Sequence, residues 1–200
     1  MSLRVVVGPM FAGKTSEIQS VVRRYTCLGK SVLVLTADID NRYAAGGAIV
    51  NHDRTALPAH GVPVNGLMEA LDWPEFAAAT AVVVDEAQFF VGCLVDFVRR
   101  AVDVYGKHVV VVGLDGDAAQ RPFGDVLALI PHADAVEKKT ALCRRCGDGT
   151  PAIFTRALGL HETQVEVGGA DRYEPVCRRH FSAQISRPRR RFIVRRSAFL

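Results

Sequence analysis

Apolar residues fall along this chain in two alternating textures. Leu3–Val7, Ser31–Thr36, Ala81–Val84 and Val109–Leu114 are short, nearly unbroken apolar runs, the pattern of strands covered on both faces in a parallel sheet. Between the first two runs, Thr15–Leu28 places Ile18, Val21, Val22 and Tyr25 at helical spacing, and Gly29 stands where a helix C-cap belongs. Val91–Tyr105, between the last two runs, reads as a crossover helix. Strand and helix in alternation predict an α/β fold with right-handed crossovers. Past about Lys139 the texture changes. Cys143, Cys146, a Gly/Thr/Pro patch, Gly168–Gly169, Cys177 and His180 follow one another without long periodic helices. This segment reads as a small second lobe held by something other than a large core.

Composition narrows the class without naming a function. At 200 residues, 49% hydrophobic and 23% charged, the chain has apolar material for a core, and wholesale disorder is excluded. The longest apolar runs fall far short of the roughly 18–20 residues that cross a bilayer. Met1–Val7 holds one Arg and no long apolar stretch, so no secretory signal is expected and the cytoplasm is the expected compartment. The net charge of +4 is unevenly placed: Ser182–Leu200 carries six Arg and no acid, which leaves the body mildly acidic. Such a tail can grip a polyanion, but it reads first as a solvated chain end.

Two motifs carry chemistry. Gly8-Pro9-Met10-Phe11-Ala12-Gly13-Lys14-Thr15 fits G-x-x-x-x-G-K-[ST], after an expected strand and opening an expected helix. Its glycines let successive N–H groups turn toward phosphate oxygens at a helix N-terminus. Lys14 can reach the β- and γ-phosphates of ATP, and the Thr15 hydroxyl can ligate Mg²⁺. Downstream, the Ala81–Val84 strand ends in Asp85, which is placed to complete the Mg²⁺ shell, and Glu86 follows as the candidate general base for a hydroxyl nucleophile. An ordinary exposed strand end is the competing reading of that acidic pair.

The second motif is metal-binding. Of five cysteines, Cys27 and Cys93 lie alone in helical patterns and read as small buried hydrophobes. Cys143-x-x-Cys146 and Cys177-x-x-His180 form two ligand pairs, enough for a closed, structural tetrahedral Zn²⁺. Two disulfides are the alternative, but the expected compartment and the histidine in fourth place argue for metal. Binding energy at such a site is coupled to folding and would compensate for a thin core. His52, His60, His108, His132 and His161 have no matching partners in the sequence and read as surface or structural groups.

These motifs, together with Asp85-Glu86-Ala87-Gln88-Phe89-Phe90, Gly113-Leu114-Asp115-Gly116-Asp117, Arg121-Pro122-Phe123-Gly124 and Gly168-Gly169-Ala170-Asp171-Arg172-Tyr173, closely resemble the type II, zinc-containing thymidine kinases over about residues 4–181. The resemblance implies a P-loop (RecA-like) parallel sheet flanked by helices, with a small zinc-binding lobe carrying a lasso loop. The implied organisation is a nucleotide-binding domain over 1–138, the zinc lobe over 139–184 and an Arg-rich tail over 185–200. The implied reaction moves the γ-phosphate of ATP to the 5′-hydroxyl of thymidine, and of deoxyuridine as well, for nucleotide salvage. By the same resemblance Glu86 matches the base and Arg42, within Asp40-x-Arg42, lies near the phosphates. Met10, Phe89, Leu114, Thr155 and Tyr173 match the nucleoside pocket.

The lasso loop, about Leu158–Tyr173, is expected to close over the base, with main-chain groups around Glu166, Val167 and Gly168 pairing with the pyrimidine edge. A peptide unit offers the donor and acceptor that such pairing needs, and a site built this way rejects bases with the wrong pattern. A homotetramer inhibited by thymidine triphosphate is also implied. Ala118 departs from the family, whose members usually carry Phe there, so one aromatic wall of the pocket is missing or replaced. The competing class is a P-loop ATPase that binds nucleic acid through the zinc lobe and tail, but the sequence shows nothing like a groove-reading helix.

Overall fold

A computed structural model describes residues 1–39, 48–50, 56–159 and 169–185. The first part of the chain runs through β1 (Ser2–Val7), α1 (Lys14–Thr26), β2 (Val32–Ala37), β3 (Ala48–Val50), β4 (Ala56–Pro58), β5 (His60–Val62), α2 (Pro74–Ala78), β6 (Ala81–Asp85), α3 (Leu94–Arg99), β7 (His108–Gly113) and β8 (Ala135–Lys138). Six of these strands form one sheet in the order β5-β2-β6-β7-β1-β8, every neighbouring pair parallel. The expected RecA-like sheet is present, with β7 between the glycine-loop strand β1 and the Asp85 strand β6.

The unbroken apolar runs are explained by what covers each face. On one side, Val5, Val7, Leu33, Leu35, Val82, Val84, Val109 and Val111 pack with Phe76, Phe90, Leu94, Phe97 and Leu129. On the other, Val6, Val34, Val83, Val110 and Val112 meet Ile18 and Val21 of α1. Alternate residues of each strand therefore serve opposite cores. Phe76, Phe90 and Phe97 are fully buried, and truncating any one of them to Ala would cost about 3–5 kcal/mol.

Three local expectations change. The helix expected at Val91 starts at Leu94, because Val91 is exposed and Gly92 turns through a left-handed φ of 81°; past Arg99 it continues as π-helical turns over Arg100–Val104. Cys27 is exposed rather than buried. It lies at the end of α1, beyond the face that Ile18 and Val21 press onto the sheet. Cys93 is half-buried and packs against the larger core. The edge strands β5 and β8 carry no apolar run and were not expected. Gly29 does close α1, in a left-handed conformation: its N–H donates to the Thr26 carbonyl, and Lys30 N–H donates to that of Tyr25.

The second lobe is built from β9 (Ala141–Leu142), β10 (Pro151–Ala152), β11 (Phe154–Ala157), β12 (Tyr173–Val176) and α4 (Arg178–Ile185). β9 pairs antiparallel with β10 and β11 with β12. Its core is small, comprising Ala141, Cys143, Ala152, Val176, Cys177 and Phe181, and Ala12 of the glycine loop packs against it. No helix among the described residues is long and apolar enough to cross a membrane.

Candidate active site

The glycine loop leaves β1 at Val7 and wraps around its own lysine. Gly8 has no room for a side chain, since a Cβ there would lie 2.5 Å from the Lys139 carbonyl oxygen. Gly13 adopts a left-handed φ of 76° at the N-terminus of α1, and Phe11 a left-handed φ of 65°. Lys14 Nζ donates to the carbonyls of Gly8 at 3.2 Å and Pro9 at 2.8 Å. Burial pushes the Lys14 ammonium below its ordinary value, opposed by the negative charges of Glu86, Asp85 and Asp115. The loop, the acids ending β6 and the loop after β7 thus share one electrostatic site at the carboxyl end of the sheet, where open parallel sheets bind ligands.

Asp85 closes β6 at 7% exposure. Burial, followed by repulsion from Glu86, raises its carboxyl to about 7, and its Oδ1 accepts the Glu86 N–H at 2.8 Å. Beside it in register lies Thr36 of β2. Thr36 alternates with Leu35, so it shares the α1 face with Val34 just as Asp85 shares it with Val83. Thr36 is 2% exposed, and its buried hydroxyl has no hydrogen-bond partner among the described residues. A buried carboxyl next to an orphaned hydroxyl is a hard-oxygen environment that suits Mg²⁺, and Thr15, half-buried in the first turn of α1, offers a further hydroxyl.

Glu86 is half-buried and sits in a left-handed conformation, φ 50° and ψ 36°. That is an uncommon state for a non-glycine residue, of the kind that concentrates at functional sites. Its Oε2 accepts a hydrogen bond from Gln88 Nε2 at 2.7 Å. Gln88 belongs to the Asp85–Phe90 segment that carries the family resemblance, but the sequence alone assigns it no role.

The residues expected around a nucleoside are distributed about the same end of the sheet. Met10 N–H donates to Thr155 Oγ1 at 2.9 Å, which ties the glycine loop to β11 of the second lobe. Leu114 N–H donates to Gln88 Oε1 at 3.0 Å. Phe89 stands edge-on to Phe123, with ring centroids 5.4 Å apart. Tyr173 is buried at the start of β12.

Asp117 shapes the loop that carries Phe123. It accepts the N–H groups of Ala119 at 2.8 Å and Arg121 at 2.9 Å, and the Arg121 guanidinium at 2.7 Å. Burial works against its charge, yet these donors hold its carboxyl below the ordinary value. Ala118 is half-buried in this turn. Arg42, Glu166, Val167 and Gly168 lie outside the described residues.

In the second lobe the four expected ligands converge. One donor atom from each of Cys143, Cys146, Cys177 and His180 lies within 4.8 Å of all the others. The Cys146 and Cys177 sulfurs are 3.8 Å apart, and His180 Nδ1 is 3.4 Å from Cys146 Sγ and 3.5 Å from each of the other two sulfurs. Zn–S bonds of about 2.3 Å in a tetrahedron require sulfurs about 3.8 Å apart, whereas a disulfide requires about 2.05 Å. Burial pushes the Cys143 thiol up, but N–H donors from Cys177 and its neighbours outweigh it and bring the group to about 6.

A family model described as thymidine kinase matches residues 1–181. A thymidine kinase of Oryza sativa subsp. japonica is 42% identical over 182 residues, covering 90% of this chain and 65% of that protein. Thymidine kinase a of Arabidopsis thaliana is 38% identical, with 90% and 74% covered. The cytosolic thymidine kinase of Homo sapiens is 35% identical, with 88% and 71% covered. The chain thus spans about two thirds to three quarters of the length of these relatives.

Proposed function

From the premise that this chain belongs to the thymidine kinase family, we propose that it transfers the γ-phosphate of ATP to the 5′-hydroxyl of thymidine, giving thymidine monophosphate and ADP. One observation carries the reading: Lys14, wrapped by the Gly8 and Pro9 carbonyls of the glycine loop that follows β1, and the Asp85–Glu86 pair that ends β6 lie at the carboxyl end of one parallel sheet, the placement that a phosphate cradle and a proton acceptor need.

The amides of Gly8–Thr15 hold the phosphates, and Lys14 exchanges its two carbonyl partners for phosphate oxygens. Thr15 and Asp85 would hold Mg²⁺, whose charge would offset that of the phosphates. Arg42 adds positive charge near the same oxygens. Glu86 accepts the proton of the 5′-hydroxyl as O5′ bonds to the γ-phosphorus, while the bond from that phosphorus to the β,γ-bridging oxygen breaks and ADP leaves. Met10, Phe89, Leu114, Thr155 and Tyr173 enclose the nucleoside, and the main chain at Glu166, Val167 and Gly168 pairs with the pyrimidine edge.

Cys143, Cys146, Cys177 and His180 would hold one structural Zn²⁺, whose binding would be coupled to folding of the lobe that begins near Lys139. Deoxyuridine is a second acceptor. The active form is a cytoplasmic homotetramer inhibited by thymidine triphosphate. The test is ADP release measured with each deoxynucleoside in turn. Thymidine-dependent release is expected, and its absence with properly folded, zinc-loaded protein rejects the reading.

A further inference from the structure

Gln88 is a polar side chain with no solvent exposure at all, and both ends of its amide are engaged. Oε1 accepts the N–H of Leu114 at 3.0 Å, and Nε2 donates to Glu86 Oε2 at 2.7 Å. The chemistry of the partners fixes the orientation of the amide. A backbone N–H can only donate, so the oxygen must face Leu114, and this leaves the NH₂ group for the carboxylate. Two glycines supply the room. A Cβ on Gly113 would lie 2.9 Å from Gln88 Oε1, and a Cβ on Gly124, at φ 60°, would lie 2.1 Å from the Gln88 carbonyl oxygen. Gln88 is thus clamped between the end of β7 and the Phe123–Gly124 turn, and it points one donor at a glutamate whose own backbone is in a left-handed conformation.

We propose that Gln88 is a positioning residue for the phosphoryl transfer: it holds one oxygen of the Glu86 carboxylate so that the other faces the acceptor hydroxyl, and it ties that orientation to Leu114 on the nucleoside side of the site. The inference rests on the assignment of Glu86 as the base. A burial-only role for Gln88 would be met by any apolar side chain of similar volume. A positioning role needs the donor, and its energetic effect must pass through Glu86. Misplacement of a catalytic group by about 1 Å is enough to lower a rate by on the order of 10²-fold.

The test is a double-mutant cycle on the full chain with thymidine and saturating MgATP, using wild type, Gln88→Glu, Glu86→Gln and the double variant. Gln88→Glu keeps an oxygen for Leu114 N–H and the same side-chain length, and exchanges the donor that faces Glu86 for a second carboxylate oxygen and its charge. It is expected to lower kcat by about 10–100-fold while KM for thymidine stays within about threefold. In the Glu86→Gln background the same change is expected to leave kcat within about twofold, because the group it positions has already lost its function. Gln88→Met, which removes both arms, tests the donor without adding a charge and is expected to match Gln88→Glu in kcat. The proposal is overturned if Gln88→Glu and Gln88→Met both turn over like wild type, if the loss lies in KM alone, or if it is equally large in both backgrounds. Should Glu86→Gln itself be as active as wild type, the base assignment falls and this inference with it; equal losses in both backgrounds, with Glu86→Gln impaired, overturn the role of Gln88 alone.

Discussion

Replacing Gly124 with Ala probes the packing around Gln88 by steric argument alone. Gly124 adopts φ 60°, and an added Cβ would lie 2.1 Å from the Gln88 carbonyl oxygen and 2.8 Å from its carbon. Neither is the far end of a flexible side chain, so the backbone after Glu86 must shift. Gly29 is the control: it has φ 66°, yet nothing lies within 4 Å of its Cβ position. Both substitutions carry the left-handed penalty of roughly 1–2 kcal/mol, and both gain the same entropic offset from a less flexible unfolded chain. The difference between them isolates the clash, about 1–3 kcal/mol for overpacking. At about 2–4 °C per kcal/mol for a chain of this size, Gly124→Ala should melt about 2–12 °C below Gly29→Ala in calorimetry. It should also lose turnover, which Gly29→Ala should retain. Equal melting temperatures for the two variants would refute the packing argument.

Two further outcomes follow from the charges and thiols. Cys143→Ser should reduce zinc from about one per chain to near none by elemental analysis, with loss of amide protection in β9–β12, because metal binding and folding of this lobe are coupled; full zinc content in that variant would contradict the ligand assignment. Glu17 is held below its ordinary value of 4.5 chiefly by its hydrogen bond from Lys139, opposed by burial and reinforced by Arg4, and Glu137 chiefly by Lys139 and then Arg4. Carboxyls depressed in the folded state contribute stability that is present above their unfolded value and is lost as pH falls through the folded one. The melting temperature should therefore decline below about pH 4.5, and Lys139→Met should make that decline shallower. An unchanged acid slope in Lys139→Met would contradict it.

What could be read from the sequence was what depends on neighbours along the chain. The loop from Gly8 to Thr15 is contiguous, and its strand and helix flank it directly. Asp85 and Glu86 end a run whose apolar residues face cores on both sides of the sheet. The zinc ligands come as two local pairs, and the structure brings all four donor atoms together. β5 and β8 escaped notice because they are edge strands with exposed residues, so no unbroken run marks them. The helix at Val91 was placed three residues early because hydropathy does not register that Gly92 turns left-handed. Cys27 was misplaced because helical spacing identifies a buried face but not where along the helix the sheet ends. Gln88 stands inside a recognisable segment, yet its role is not legible there, because it depends on Leu114, far along the chain, and on two glycines whose missing side chains make its room.

The central claim is that Glu86 takes the proton of a hydroxyl attacking a phosphate cradled around Lys14. Its most direct test is transfer of label from γ-labelled ATP to thymidine, followed in a single turnover with wild type and Glu86→Gln, with thymidine affinity measured separately. The expected result is labelled thymidine monophosphate from wild type and a rate about 10²–10⁴-fold lower in Glu86→Gln, with thymidine affinity largely kept. Label transfer at an undiminished rate in Glu86→Gln would contradict the account.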